Sequence, residues 1–274
     1  MDFRVSLVGL LIGLLIGLTG MGGGSLLAPI MILFFRIPPV YAVGTDIAYA
    51  TITKAVGTVV HMRQKTVNFK IAFWLACGSV PSTLLSVGLV HHLHNYHDNY
   101  IDTFILHMLG FTLMTVAVLL VVKPFFIKRM DRRNLENQKQ AALRGEEYTQ
   151  GPSHWERYYR PGATICVGAI VGFLVGITSV GSGTLIILSL AFMFPQLKAK
   201  ELVGTDIFQA FMLLASGAVG NLMSDTINWK LVLLLLLGSL PGVFLGSKLS
   251  KFIPDLVMRP LLASILIISA WKLL

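Results

Sequence analysis

The sequence predicts an all-α, polytopic transmembrane helical bundle built from two inverted repeats, each a glycine-broken, re-entrant helix pair plus three transmembrane helices. Three observations carry that expectation. Of 274 residues, 55% are hydrophobic and only 13% are charged, too few to clothe a soluble domain of this length; mean hydropathy is +0.75. Apolar runs recur along nearly the whole chain. Finally, the chain contains itself twice.

GLLIGLLIGLTGMGGGSLL from Gly9 is echoed by GAIVGFLVGITSVGSGTLI from Gly168, and VGTDI at Val43 returns at Val203. VNFK from Val67 answers INWK from Ile227, and GSVP from Gly78 answers GSLP from Gly238, at the same shift of 160 as VGTDI. Matches in one order at one shift define an internal duplication. The internal echo also excludes reading the N-terminal VSLVGLLIGLLIGL as a secretory signal.

Taken in order, each unit is a broken apolar segment and three longer ones. The first unit gives Val5 to Phe35, Val40 to His61, Phe69 to Leu93 and Ile101 to Phe126. The second gives Thr164 to Phe194, Leu202 to Leu222, Trp229 to Ser247 and Leu256 to Trp271. The domain boundaries follow: residues 1–127 form the first transmembrane repeat, 128–160 a charged linker, and 161–274 the second repeat.

Lys and Arg accumulate in cytoplasmic loops. The linker, with Lys128, Arg129, Arg132, Arg133, Lys139 and Arg144, is expected in the cytoplasm, as is the loop carrying Arg63, Lys65 and Lys70. The loop HHLHNYHDNY is expected outside. In the second half the bias reverses, with SDTIN at Ser224 lacking positive charge while Lys248, Lys251 and Arg259 surround the next loop. Equivalent loops then face opposite sides, which makes the repeats inverted. Val5 to Leu18 covers only about 20 Å at about 1.5 Å per residue, short of a hydrocarbon core of about 30 Å. Such a piece fits a re-entrant half-helix; a single crossing with four spans per unit is the competing topology.

The breaks suggest the chemistry. The N-terminus of a returning half-helix directs backbone N–H groups and the positive end of its dipole toward one spot, which favours an anion. Thr19, Gly20, Gly22, Gly23, Gly24 and Ser25 supply this in the first half, and Thr178, Ser179, Gly181, Ser182, Gly183 and Thr184 in the second. By contrast, Gly9, Gly13 and Gly17, like Gly168, Gly172 and Gly176, follow the GxxxG spacing of close helix packing. Gly9→Ala is therefore expected to be milder than a change within a break. GMGGGS lacks the GK[ST] of a phosphate loop.

Thr45, Asp46, Thr205 and Asp206, of the paired GTD motifs, read either as N-caps of the following helices or as cavity-lining residues. Lys54 stands in an otherwise apolar segment two helical turns beyond Asp46, where an ionisable group demands a cavity or a partner, snorkelling being the alternative. Leu214 takes the matching position in the second half, and Gln209 is a weaker polar candidate. His91, His92, His94 and His97 fit a solvated outer loop better than a metal site. Cys77 and Cys166 read as reduced packing residues. No catalytic set, cofactor or metal is expected, and the net charge of +9 reflects topology rather than nucleic-acid binding.

At these residues the sequence resembles the TauE/SafE family, the sulfite exporter group also called the 4-toluene sulfonate uptake permease family. The likeness rests on GLTGMGGGSLLAP and its GTD helix together with GITSVGSGTL and the second GTD; the long linker and the glycine-poorer second break depart from it. It implies a secondary transporter, an exporter of sulfite, sulfoacetate or another organosulfonate, multi-pass in the bacterial cytoplasmic (inner) membrane. Its partners would be the small sulfur anion, the lipid bilayer, a coupled proton or other ion, and a second copy in a homodimer. A passive anion channel and a non-transporting scaffold are the competing classes.

Overall fold

The computed structural model describes residues 2–19, 26–94, 98–143, 154–194, 197, 199–249 and 255–274. The described residues are mostly helical, with no strand among them. The first repeat holds α1 (Asp2–Thr19), α2 (Leu27–Phe35), α3 (Pro39–Arg63), α4 (Phe69–His94) and α5 (Asp98–Leu143). The second holds α6 (His154–Thr178), α7 (Ser182–Met193), α8 (Ala199–Met223), α9 (Trp229–Leu249) and α10 (Asp255–Leu273). The expected charged segment is helical at both ends, since α5 runs on to Leu143 and α6 begins at His154.

Among the described residues, five stretches are long and apolar enough to cross a membrane: Phe69–His94, Ile101–Val122, Pro161–Thr178, Lys200–Met223 and Trp229–Gly246. Val5–Leu18, Ser182–Met193 and Pro260–Leu273 are shorter apolar pieces. The second broken segment is thus one long arm and one short arm, since the 12 residues of α7 cover only about 18 Å. Leu233, Leu237, Leu240 and Phe244 form an exposed face of α9, which in a bilayer meets lipid.

The helices do not pair mainly within their own repeat. α1 packs most extensively on α9 of the other half, and α6 on α4. The contacts are reciprocal. A methyl group on Gly9 would lie 2.8 Å from the Leu235 carbonyl oxygen, and one on Gly168 would overlap the Leu75 carbonyl. Likewise Gly13 meets Ser239 and Gly172 meets Ser79, while Gly238 packs against the Ser6 carbonyl and Gly78 against that of Ile165. Backbone therefore lies on backbone at both crossings, as small-residue packing allows. The close-packing role read for Gly9 is borne out, because α9 leaves no room for a methyl there. Where α9 offers Gly242, α4 has Ser82, whose hydroxyl donates to the Ala169 carbonyl at 2.6 Å.

Cys77 and Cys166 are corrected: both are exposed rather than packed inside. They sit on outward faces, where a short apolar side chain suits lipid as well as it suits a core.

Gly13→Ala should therefore destabilise the fold by about 1–3 kcal/mol, the usual cost of overpacking. Gly88→Ala, at a position with open space around it, should leave the melting transition in place. Thermal unfolding of the two purified variants in one detergent checks the difference.

Candidate functional site

The GTD motifs lie where α3 crosses α8. None of Thr45, Asp46, Thr205 and Asp206 caps its own helix, because α3 already starts at Pro39 and α8 at Ala199. Pro38 and Pro39 preset the helical start of α3. Within each motif the three residues do different work. Gly44 makes room for Asn221 and Thr226, and Gly204 for Thr66, so each admits a loop of the opposite repeat. Thr45 Oγ1 accepts the Asn228 amide at 3.1 Å, and Thr205 Oγ1 accepts the Asn68 amide at 3.0 Å. Asn68 and Asn228 in turn accept the Ile71 and Leu231 amides, capping α4 and α9.

The aspartates turn to the breaks. Asp46 is fully buried and its Oδ2 accepts the Ser179 hydroxyl at 2.5 Å. The Ala28 amide, in the first turn of α2, faces the same carboxylate, whereas Oδ1 makes no hydrogen bond among the described residues. Asp206, buried on α8, reaches the first turn of α7, where its Oδ2 lies 3.5 Å from the place a Gly183 methyl would take.

That first turn is the second break. Ser179 and Gly181 are left-handed, at φ 63° and 97°, which ends α6 and turns the chain into α7. The Thr178 hydroxyl serves the backbone, donating to the Leu174 carbonyl at 2.7 Å and accepting the Val180 amide at 3.3 Å. Ser182, Gly183 and Thr184 open α7, so their N–H groups lack intrahelical acceptors; Leu185 makes the first return bond, to the Gly181 carbonyl at 3.1 Å. Ser182 and Gly183 are half-buried amid buried neighbours. Thr184 is buried with its hydroxyl unpaired among the described residues.

Lys54 is buried at 8% exposure, so it does not snorkel. Its Nζ lies 3.9 Å from the Gly183 methyl position. The site that emerges joins Gly183, Thr184, Lys54 and Asp206, with Asp46 and Ser179 adjoining along the break. Opposite unit charges about 4 Å apart attract by about 4 kcal/mol at the effective dielectric of a protein, and Lys54 and Asp206 approach this one point from opposite sides of that balance, one with an ammonium and one with a carboxyl group. Gln209 donates to Ser79 Oγ at 2.7 Å and leaves its own Oε1 unpaired among the described residues. In the other half, Tyr49 takes the corresponding place and faces Ser239.

Of the remaining expected residues, Thr19 closes α1, while Gly20, Gly22, Gly23, Gly24 and Ser25 lie outside the described residues, as does His97. No group of three His, Cys, Asp or Glu fit for a metal occurs among the described residues; His94 packs edge-on against Tyr41. Sequence reasoning missed Ser79, Tyr49, Asn68 and Asn228. Three of the four stand in or beside repeated words, Asn68 and Asn228 in VNFK and INWK and Ser79 in GSVP, so repetition of the polar residue itself was the available signal.

A membrane-embedded helical bundle with buried polar groups gathered at a helix break has the architecture of a membrane transporter. The family model described as sulfite exporter TauE/SafE matches residues 5–273, and the chain belongs to that family. It is 38% identical to the probable membrane transporter protein YjnA of Bacillus subtilis over the full length of both. It is 28% identical to YunE of the same organism over 92% of this chain and 89% of that one. A probable membrane transporter protein of Methanocaldococcus jannaschii is 26% identical over 95% of this chain and 90% of its own. No solved structure matches the chain.

Replacing Thr45 or Thr205 by Val removes the acceptor of the Asn228 or Asn68 amide and should cost about 1 kcal/mol each. Thr51→Val should cost less, since that hydroxyl only returns to the Ile47 carbonyl of its own helix. Chemical or thermal unfolding of the three variants tests this.

Proposed function

We propose that this transporter is a secondary carrier for a small sulfur-containing anion, sulfite, sulfoacetate or another organosulfonate, and that it works as an exporter in the bacterial cytoplasmic membrane. The observation that carries the reading is the convergence of Lys54 Nζ on the open first turn of α7 at Gly183. A pyramidal or tetrahedral sulfur oxyanion presents several acceptor oxygens. Free amides, the dipole of α7 and one ammonium answer them with moderate, directional attraction. We assign the same part to Gly22, Gly23, Gly24 and Ser25 in the first break by internal repetition.

The reversed charge bias supports inverted repeats with residues 128–160 in the cytoplasm, the arrangement in which two breaks approach one midplane site from opposite sides. Cysteines introduced near Ser224 should label from outside and those near Lys251 from the cytoplasm; labelling on the sides of their first-half equivalents would overturn the inversion.

Saturable sulfite or sulfonate flux in proteoliposomes tests the carrier, against the linear flux of a channel or the absence of flux expected of a scaffold. Gly183→Val should abolish binding, because its branches fill the space between Asp206 and Lys54. Lys54→Ala should weaken affinity about 10-fold to 100-fold, the scale of one charge-assisted contact, and more for doubly than for singly charged substrates. Titrations on folded variants read both effects.

A further inference from the structure

The charges around the proposed anion do not favour it as they stand. Lys54 contributes one ammonium, but Asp46 and Asp206 contribute two carboxyl groups, and all three are buried. Asp206 is the nearer of the two to the open turn, with Oδ2 3.5 Å from the Gly183 methyl position that Lys54 Nζ also approaches within 3.9 Å. An anion oxygen seated there against an ionised Asp206 meets acceptor with acceptor and charge with like charge. A protonated Asp206 instead offers an O–H donor to that oxygen and removes one negative charge.

We propose that Asp206 is the proton-carrying residue of transport, taking up one proton when the anion binds at Gly183 and Lys54 and losing it when the anion leaves. This rests on the carrier reading above and adds its coupling ion. The proton comes from water on the side where the anion binds, resides on an Asp206 carboxyl oxygen, and returns to water on the side of release. A monovalent anion thus crosses with one proton and no net charge.

The surroundings single out Asp206. α7 brings no titratable side chain to it. α3 carries Tyr41, Asp46, Tyr49, Lys54, His61 and Arg63, of which Lys54 approaches the same point as Asp206. α4 has only the exposed Cys77 between Lys70 and its terminal histidines, and α6 has only the exposed Cys166 between Pro161 and Thr178. Asp46 accepts the Ser179 hydroxyl at 2.5 Å, whereas Asp206 is the carboxyl group that approaches the Gly183 methyl position together with Lys54.

The experiment uses the purified full chain and ethanesulfonate, whose own charge is constant across the neutral range, so any pH dependence belongs to the protein. Binding should tighten about tenfold per pH unit on acidification over the range where free Asp206 is ionised. In weakly buffered detergent solution each bound anion should take up about one proton. In proteoliposomes an outward sulfonate gradient should drive protons outward, reported by a trapped pH dye. Asp206→Asn should bind with an affinity independent of pH and exchange sulfonate without proton movement, whereas His61→Gln should keep the coupling. Should Asp206→Asn fail to fold, proton uptake by the wild type and its retention in Asp206→Glu carry the test. Sulfonate flux with no proton uptake, or coupling lost in Asp46→Asn but kept in Asp206→Asn, overturns this inference alone. Absence of sulfonate and sulfite binding at every pH overturns the carrier reading and this inference with it.

Discussion

Contact of backbone on backbone, where α1 crosses α9 and α6 crosses α4, is the constraint from which the rest of the molecule follows. Lipid tails are as apolar as leucine, so helices in a bilayer gain little by burying apolar side chains and must instead gain by fitting closely. Glycine and serine at the crossings permit that fit. Because α6 is seated on α4 as far as Gly176, which lies against Thr83 and Ser86, the place where α6 ends is fixed. The left-handed Ser179 and Gly181 then set where α7 begins, and with it the position of the free amides.

The reciprocal pairing also explains how one sequence word serves both fold and chemistry. In each GTD the glycine and threonine hold the opposite repeat, through Asn221 and Asn228 in one case and Thr66 and Asn68 in the other. Only the aspartate is left for the breaks. The two halves then diverge where function needs only one copy. Lys54 faces the second break while its counterpart Leu214 is buried among apolar side chains, and Gln209 stands opposite Ser79 where the other half sets Tyr49 toward Ser239. Similar contacts in the two halves thus frame a centre whose side chains differ between them.

How much of this could be read from the chain depended on the range of the interaction. The duplication, the helical segments and the packing role of the GxxxG glycines were legible because periodicity and repetition are local properties. Lys54 was legible because an ammonium in an apolar run is costly wherever it points. The partners were not. Periodicity marks the face a helix buries but is silent on which helix covers it, so the pairing of α1 with α9 rather than a neighbour was invisible. For the same reason Thr45 and Thr205 stood open between caps of their own helices and cavity-lining residues, and Cys77 and Cys166 were read as packing residues. The amides that the two threonines accept belong to residues 183 and 137 positions away, beyond any local pattern.

Asp46 shows what the arrangement implies for movement. It belongs to α3 of the first repeat, faces the first turn of α2, and accepts a hydrogen bond from Ser179 in the break of the second repeat. It therefore ties α3 to the second break as well as to the first turn of α2. Moving the second break away from α3 would separate Ser179 from a fully buried carboxyl group, and a buried acceptor left unpaired costs more than the bond contributes when made. Such a contact resists intermediate positions. In the carrier proposed above that resistance would favour two end states, whereas a site open to both sides at once would be a channel.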